Sequence, residues 1–406
     1  MSRRTCEPSL REAQAIVFAA TKPVGSEWAD LGDCLHRVVR QDIASRRAHP
    51  CSDSAARDGF CFRAAATGRA SPRRPAILRI RATIRCGDRP RAAIGRGECA
   101  RIMTGGILPP GADAVIPVEH ALSGGEYIRV PYAVRAGTHV YRTGRIVKAG
   151  GRVASKGDYV GPGLLGLLAA VGVRKARISR RVRMGIVSTG DEVVEARRSQ
   201  RDWQVYDSNS VMLMGLAQEL EAEVLNLGIA KDTGADIEAS LRAGESCDIV
   251  IMTGGSSMGI SDHVPATLRR YGCRVLIRGM RLRPGKHVTF ARKGSRMFFG
   301  LPGRPGGCFG LFHLLVRPAL MAMMGCARPA PVALRGTWAG GAMERPRIDT
   351  LFAAHLGPRS EIRPVSDTST GDLGALARSN SLVLIRTGRD SLRKGDILEV
   401  FPVRLP

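Results

Sequence analysis

Three short stretches of this chain have the residue types of anion-binding turns: Ser188-Thr-Gly-Asp-Glu192, Thr253-Gly-Gly-Ser-Ser-Met-Gly259 and Leu301-Pro-Gly-Arg-Pro-Gly306. Each follows an apolar run of strand type, and in a parallel sheet ligands bind beyond the carboxyl ends of the strands. Glycine lets backbone N–H groups approach an oxyanion, and a helix N-terminus adds partial positive charge. Each stretch alone is equally a tight turn. Three in one layer point to a phosphate-bearing ligand, with Thr189, Gly190, Thr253, Gly254, Gly255, Ser257, Pro302 and Gly303 around it. Asp191, Glu192, Asp207 and Asp262 fall near the same edge. Carboxylates beside phosphate-binding loops suit Mg²⁺, which takes one or two of them together with ligand phosphates. Asp191 and Asp207 are also plain turn and cap residues, and Asp207-Ser208-Asn209 offers the N-cap of a helix. Lys286, in Pro284-Gly-Lys286, can neutralise an anion as a point charge. Asp58, in an Asp-Gly pair, and Thr104, before Gly105, are bland by themselves.

The loops need elements to hold them. From residue 183 strand and helix alternate: strands at 184–188, 224–229, 248–252 and 297–301, helices at 207–221, 233–243, 262–271 and 307–324. Pro318 must bend or restart the last helix. This alternation predicts a parallel sheet with helices on both faces. Upstream, 10–39 reads as helical with a break at Lys22-Pro23. Residues 60–160 read as short strands (77–84, 114–118, 127–130) between Gly and Pro turns. Residues 163–173 read as a short buried helix and the basic run 174–183 as a linker. Residues 329–406 return to β character, clearest at 381–385 and 397–401 around a Gly395-Asp396 turn.

Composition narrows the class. The chain has 406 residues, 44% hydrophobic and 24% charged, which excludes a disordered or fibrous protein. With 62 Lys+Arg against 36 Asp+Glu the formal charge is +26, almost all of the excess being arginine. The arginines of 63–101 favour anionic partners, but no nucleic-acid-binding motif accompanies them, so a solvated basic surface is the preferred reading and nucleic acid is not expected. None of the ten cysteines forms a CxxC pair, and those such as Cys247 and Cys308 read as buried thiols. The eight histidines have no metal-ligand spacing. The charged start of the chain and an apolar run at 163–173 too short for a bilayer lead us to expect a cytoplasmic protein with no membrane association.

Taken in order, Arg101-Ile-Met-Thr-Gly-Gly106, Leu108-Pro-Pro-Gly-Ala-Asp-Ala-Val115, Ser188-Thr-Gly-Asp-Glu192, Asp207-Ser-Asn209, Thr253-Gly-Gly255, Pro284-Gly-Lys286 and Leu301-Pro-Gly303 resemble the motif set of the MoeA family, the molybdopterin molybdenumtransferases, over essentially the whole chain. The resemblance implies an α/β multidomain protein. A molybdopterin-binding doubly wound α/β domain (179–327) would be joined to β-rich N-terminal and C-terminal domains. The others would be an elongated dimerisation domain (1–46 with 139–178), a β-rich insert (47–138) and a β barrel-like domain (328–406). It further implies Mg²⁺-dependent insertion of molybdate into adenylylated molybdopterin with release of AMP. The site would lie between the subunits of a homodimer, and other proteins of molybdenum cofactor biosynthesis are candidate partners. By the same resemblance Asp58, Glu192, Asp262 and Lys286 carry the chemistry. Asp191, Glu192 and Asp262 would hold the metal, and Thr104, Asp207, Ser208, Asn209, Thr253 and Ser257 would contact substrate.

The chain departs from the family pattern at several of these places. Arg57 stands where the family has methionine before Asp58, and Gly144-Arg-Ile-Val147 replaces Gly-Glu-Asp-Ile. Ile260 replaces the first acid of a pair with Asp262. Arg283 replaces lysine, His287 proline, Arg304 asparagine and Gly307 serine. Ala353 falls where a molybdate-binding arginine is expected, and Thr370 where a serine is. Fewer carboxylates and more arginine favour anion binding over metal binding. A second reading follows: a paralogue that binds molybdopterin or its nucleotide without turnover, as carrier or assembly factor.

Overall fold

The computed structural model describes residues 7–254, 263–365, 372–388 and 390–403. Its centre is a six-stranded sheet in the order Glu223–Ala230, Arg183–Thr189, Ile249–Thr253, Arg296–Leu301, Thr289–Lys293, Arg274–Arg278. The first four strands are parallel. Ile249–Thr253 is buried along all five residues, the continuous apolar pattern of a strand covered on both faces. Helices Ser208–Gln218, Gly234–Ala243, His263–Arg270 and Pro305–Leu311 follow the parallel strands. Thr233 caps the second helix through its hydroxyl to the Asp236 N–H.

The wholly parallel sheet expected from the sequence is corrected here. Two antiparallel strands, Arg274–Arg278 and Thr289–Lys293, extend it. Their apolar residues are too few, and too interleaved with arginine, to read as strands in isolation. The last helix is also more complex: Pro305–Leu311 and Arg317–Met324 flank a π turn at Phe312–Val316. Pro318 therefore sits in the first turn of a restarted helix, where its missing N–H costs little. The stretch Pro305–Met324 is long and apolar enough to cross a membrane, unlike the run at 163–173, but 83% of its most apolar window is buried inside the fold.

At the N-terminus the α-helix is confined to Leu10–Ala20, opened by a Ser9–Glu12 capping box and burying Leu10, Ala13, Val17 and Ala20, and a single 3-10 turn follows at Leu31–Cys34. Beyond Lys22-Pro23 the expected helix is replaced by a strand, Ser26–Asp30. Its partner is Lys175–Ser179, so the expected basic linker is a strand too. Its Lys175 and Arg177 face solvent while Ala176 and Ile178 are buried. Residues Pro162–Ala170 form the expected helix, but only Leu168 is fully buried.

Between these pieces lies a sheet of six strands, ordered Ala114–Pro117, Gly59–Phe62, Glu98–Ile102, Ala76–Ile84, Tyr127–Val130, Leu122–Gly124. All eleven arginines of 63–101 are exposed on it and its loops. The C-terminal strands Leu334–Trp338, Thr350–Leu356, Glu361–Pro364, Ser381–Ile385 and Ile397–Pro402 close into a barrel around Trp338, Ile362 and Val383.

Candidate active site

The sheet is wound in both directions from Arg183–Thr189, which has Glu223–Ala230 on one side and Ile249–Thr253 on the other. The crevice at such a switch point is where open α/β sheets hold ligands. Ser188 and Thr253 stand side by side in the strand register there. Gly254 follows with φ +92°, and a Cβ on it would lie 2.2 Å from the Thr189 carbonyl oxygen. No other residue type fits this approach. A cleft of about 1000 Å³ opens above, reached by Ser188, Thr189, Glu192, Asp207, Ser208, Asn209, Thr253, Gly254, Lys286, Pro302 and Gly303. The three glycine loops thus converge on one space. Gly190, with φ +150°, and Asp191 belong to the first of them. Gly255, Ser257 and Asp262 lie outside the described residues.

Asn209 ties the loops together. Its Nδ2 donates to Thr253 Oγ1 (2.9 Å) and to the Gly303 carbonyl (2.7 Å). Asp207 is committed to the fold: its carboxylate accepts from the Ser188 hydroxyl (2.8 Å), the Ser210 N–H (3.0 Å) and the Ser210 hydroxyl (2.6 Å). It is the helix cap, and the capping alternative holds for it. Two buried side-chain polar atoms of this cleft, Asn209 Oδ1 and His287 Nδ1, lack a hydrogen-bond partner among the described residues, while the Thr189 side chain bonds the Asp232 carboxyl. Buried polar atoms are nearly always paired, so two unpaired ones in one cleft mark a place built for a polar ligand.

The cleft has walls of opposite charge. Arg283, Lys286, His287 and Arg304 line one part. Lys286 is presented by the connection between the two antiparallel strands, which the Met280 N–H closes onto the Gly285 carbonyl (3.0 Å). The barrel holds this connection: the Arg283 N–H donates to the Asp349 carbonyl (2.8 Å) and the Leu351 N–H to the Arg283 carbonyl (2.7 Å). On the other part are Glu192 and Asp232, and the Asp232 N–H reaches Asp191 Oδ1 at 3.4 Å. Burial, and then the charges of Glu192 and Asp191, push the Asp232 carboxyl above its usual range.

Asp58 and Thr104 come together although 46 residues separate them. The Thr104 N–H (2.6 Å) and hydroxyl (2.7 Å) both donate to Asp58 Oδ1. The Thr104 hydroxyl and N–H hold the exposed Asp58 carboxyl below its usual range, helped by Arg101. Neither residue lines the cleft of its own chain. Sequence reasoning missed Asp232 and Tyr206. Asp232 follows the strand Glu223–Ala230 at the same sheet edge, which was the available signal, but its loop has no glycine.

A cleft with cations along one wall, at the switch point of a doubly wound sheet carried among β-rich domains, defines a ligand-binding protein of the α/β class. Two family models match the chain, the MoeA N-terminal region (domain I and II) over residues 8–172 and a "probable molybdopterin binding domain" over residues 185–322. The chain is 28% identical to the molybdopterin molybdenumtransferase of Bacillus subtilis over 413 residues, covering 100% of this chain and 96% of the relative. It is 28% identical to that of a Nostoc species, covering 98% and 94%. Of two solved structures of a molybdopterin biosynthesis MoeA protein from Pyrococcus horikoshii, one aligns with TM-score 0.73 at 27% identity, covering 97% of this chain and 98% of that one. The other aligns with TM-score 0.80 at 24% identity, covering 98% and 100%, and speaks for the fold. The chain belongs to the MoeA family.

Proposed function

We propose that this chain is a molybdopterin molybdenumtransferase of molybdenum cofactor biosynthesis. Its substrates are adenylylated molybdopterin and molybdate, and AMP leaves. The observation that carries this reading is the convergence of three glycine loops on one cleft with cations along one wall and the unpaired polar atoms Asn209 Oδ1 and His287 Nδ1 within it. A phosphoanhydride and an oxyanion are the ligands such a cleft satisfies.

The chain's own residues divide the work. Lys286 and Arg283 offset the charge that gathers on the departing phosphate, while the Gly254 N–H is held by the Leu301 carbonyl and fixes the loop beneath it. Asn209 keeps the loops in register. The donor set also fits Mg²⁺. Glu192, Asp232 and Asp191 crowd one corner, and their mutual repulsion is what a hard cation relieves. Among the described residues no three acidic, His or Cys side chains are grouped so as to hold a metal ion by themselves, so Glu192 and Asp232 would hold it only together with oxygens of the ligand. An ion held there would supply Lewis-acid polarisation of the phosphoanhydride. By the family pattern Asp262, which lies outside the described residues, would be a further metal ligand, while Asp207 has its oxygens engaged elsewhere.

The protein works as a cytoplasmic homodimer, in which Asp58 and Thr104 of a second copy close the cleft. The division into 1–46 with 139–178, 47–138, 179–327 and 328–406 belongs to the same reading. The test is AMP release from adenylylated molybdopterin, which should need both Mg²⁺ and molybdate and should vanish in Asp262→Ala. One observation favours the second reading: Arg283, His287 and Arg304 line the cleft where the family pattern has lysine, proline and asparagine. Tight nucleotide binding with no AMP released, under any metal or molybdate condition, makes the chain a carrier instead.

A further inference from the structure

The cleft has a third region besides its cationic and acidic walls. Val193, Val205 and Tyr206, on two short paired strands, give it an apolar shelf. Tyr206 is the one phenyl-type ring among the lining residues. It is 43% exposed, and among the described residues its ring meets no other aromatic side chain and its hydroxyl has no hydrogen-bond partner. An exposed aromatic face on an apolar shelf, inside a cleft otherwise built for anions, is an unusual place to leave a tyrosine.

Its backbone is fixed. Val205–Tyr206 pairs in parallel with Val193–Val194. The Val205 N–H donates to the Glu192 carbonyl and the Asp207 N–H to the Val194 carbonyl, each at 2.9 Å. Tyr206 is therefore locked between Glu192, in the acidic corner, and Asp207, which caps the helix carrying Asn209. A ring held beside an anion cradle matches a ligand that has a flat heterocycle attached to phosphate. Stacking on an aromatic side chain is the general way such a heterocycle is bound without hydrogen-bond readout.

We infer that Tyr206 is the stacking platform of the cleft, taking a planar nitrogen heterocycle whose phosphate lies on the glycine loops. The inference rests on the proposed substrate and adds the residue that recognises its ring. Two rings share this chemistry, the purine of the adenylyl group and the pterin. The experiment separates them.

The affinities of the full-length protein for AMP, for neopterin monophosphate and for ribose 5-phosphate are measured by calorimetry, for the wild type and for Tyr206→Ala, Tyr206→Leu and Tyr206→Phe. Stacking predicts that the alanine and leucine variants lose about tenfold or more for one ring-bearing ligand. The phenylalanine variant keeps its affinity, and ribose 5-phosphate is unaffected throughout. Loss confined to AMP assigns the purine, and loss confined to neopterin monophosphate assigns the pterin. The inference is overturned if the alanine and leucine variants bind both ring ligands as the wild type does. It is equally overturned if ribose 5-phosphate weakens by the same factor, since Tyr206 would then only shape the loop. A wild type that binds none of the three ligands removes the proposed function, and the inference with it. That result is distinct from a wild type that binds while its variants do not differ.

Discussion

Asn209 and Thr253 are 44 residues apart, yet the amide of one donates to the hydroxyl of the other at 2.9 Å. The same amide reaches the Gly303 carbonyl, so one side chain spans the ends of two neighbouring parallel strands. Asn209→Asp would set a carboxylate oxygen against a carbonyl oxygen. We expect it to destabilise the protein by about 1–3 kcal/mol in urea unfolding, from the lost bond to the Gly303 carbonyl and the repulsion there. Asn209→Ala should cost less than that, and an aspartate variant no less stable than the alanine variant would contradict the geometry.

Gly254 allows no side chain. Its positive φ and the 2.2 Å that a Cβ would leave to the Thr189 carbonyl both forbid alanine. Gly254→Ala should lower stability by about 2–4 kcal/mol or displace the loop. Thermal unfolding reports the first outcome and loss of AMP binding the second. Unchanged values of both would show the approach is looser than described.

The link between the sheet and the segment that enters it depends on Asp248. Its carboxylate accepts two bonds from Arg180 (2.7 and 2.6 Å) and one from the Arg183 N–H (2.9 Å). Asp248→Ala should cost on the order of 2–3 kcal/mol, mostly from donors left without an acceptor. Denaturant midpoints at equal m-value measure it.

Asp58 carries a pH signature. Thr104 depresses its carboxyl in the folded state, so the stabilisation is present above the ordinary aspartate range and is lost as pH falls through the lowered folded value. Thr104→Val removes the hydroxyl bond and keeps the N–H bond. The Asp58 carboxyl, followed by carbon-13 NMR, should then titrate at a higher pH than in the wild type. A titration that does not move would mean that the hydroxyl contributes nothing.

The cysteines differ in reactivity. Cys51 and Cys86 are exposed, whereas burial pushes the Cys61, Cys99 and Cys308 thiols up to about 12. A thiol reagent at neutral pH should mark the first two rapidly and spare the other three until the chain unfolds, as peptide mass spectrometry would read.

Most of the sheet could be read in the sequence because apolar runs such as Ile249–Thr253 admit few alternatives and the glycines after them punctuate the strands. The Asp207 cap is a local feature, legible for that reason. What escaped depends on partners distant in the chain. Lys175–Ser179 is a strand because Ser26–Asp30 lies beside it, and its alternation is hidden by arginine. The antiparallel pair that presents Lys286 is held by the sheet edge and by the barrel at Asp349. Asp232 belongs to the site only through the switch point, where a loop without glycine joins loops that have it. The meeting of Asp58 with Thr104 is set by the strands Gly59–Phe62 and Glu98–Ile102 pairing antiparallel, and no local signal announces it.

The position of the Asp58–Thr104 pair, outside the cleft of its own chain, makes complementation a measurable property of the assembly. If each copy lends that pair to its neighbour, an Asp58→Ala chain and a Lys286→Ala chain are each inert alone. Co-refolded in equal amounts they form mixed pairs with one site wholly mutant and the other wholly intact, and the pool regains about a quarter of wild-type turnover. A chain that kept both halves to itself would give none.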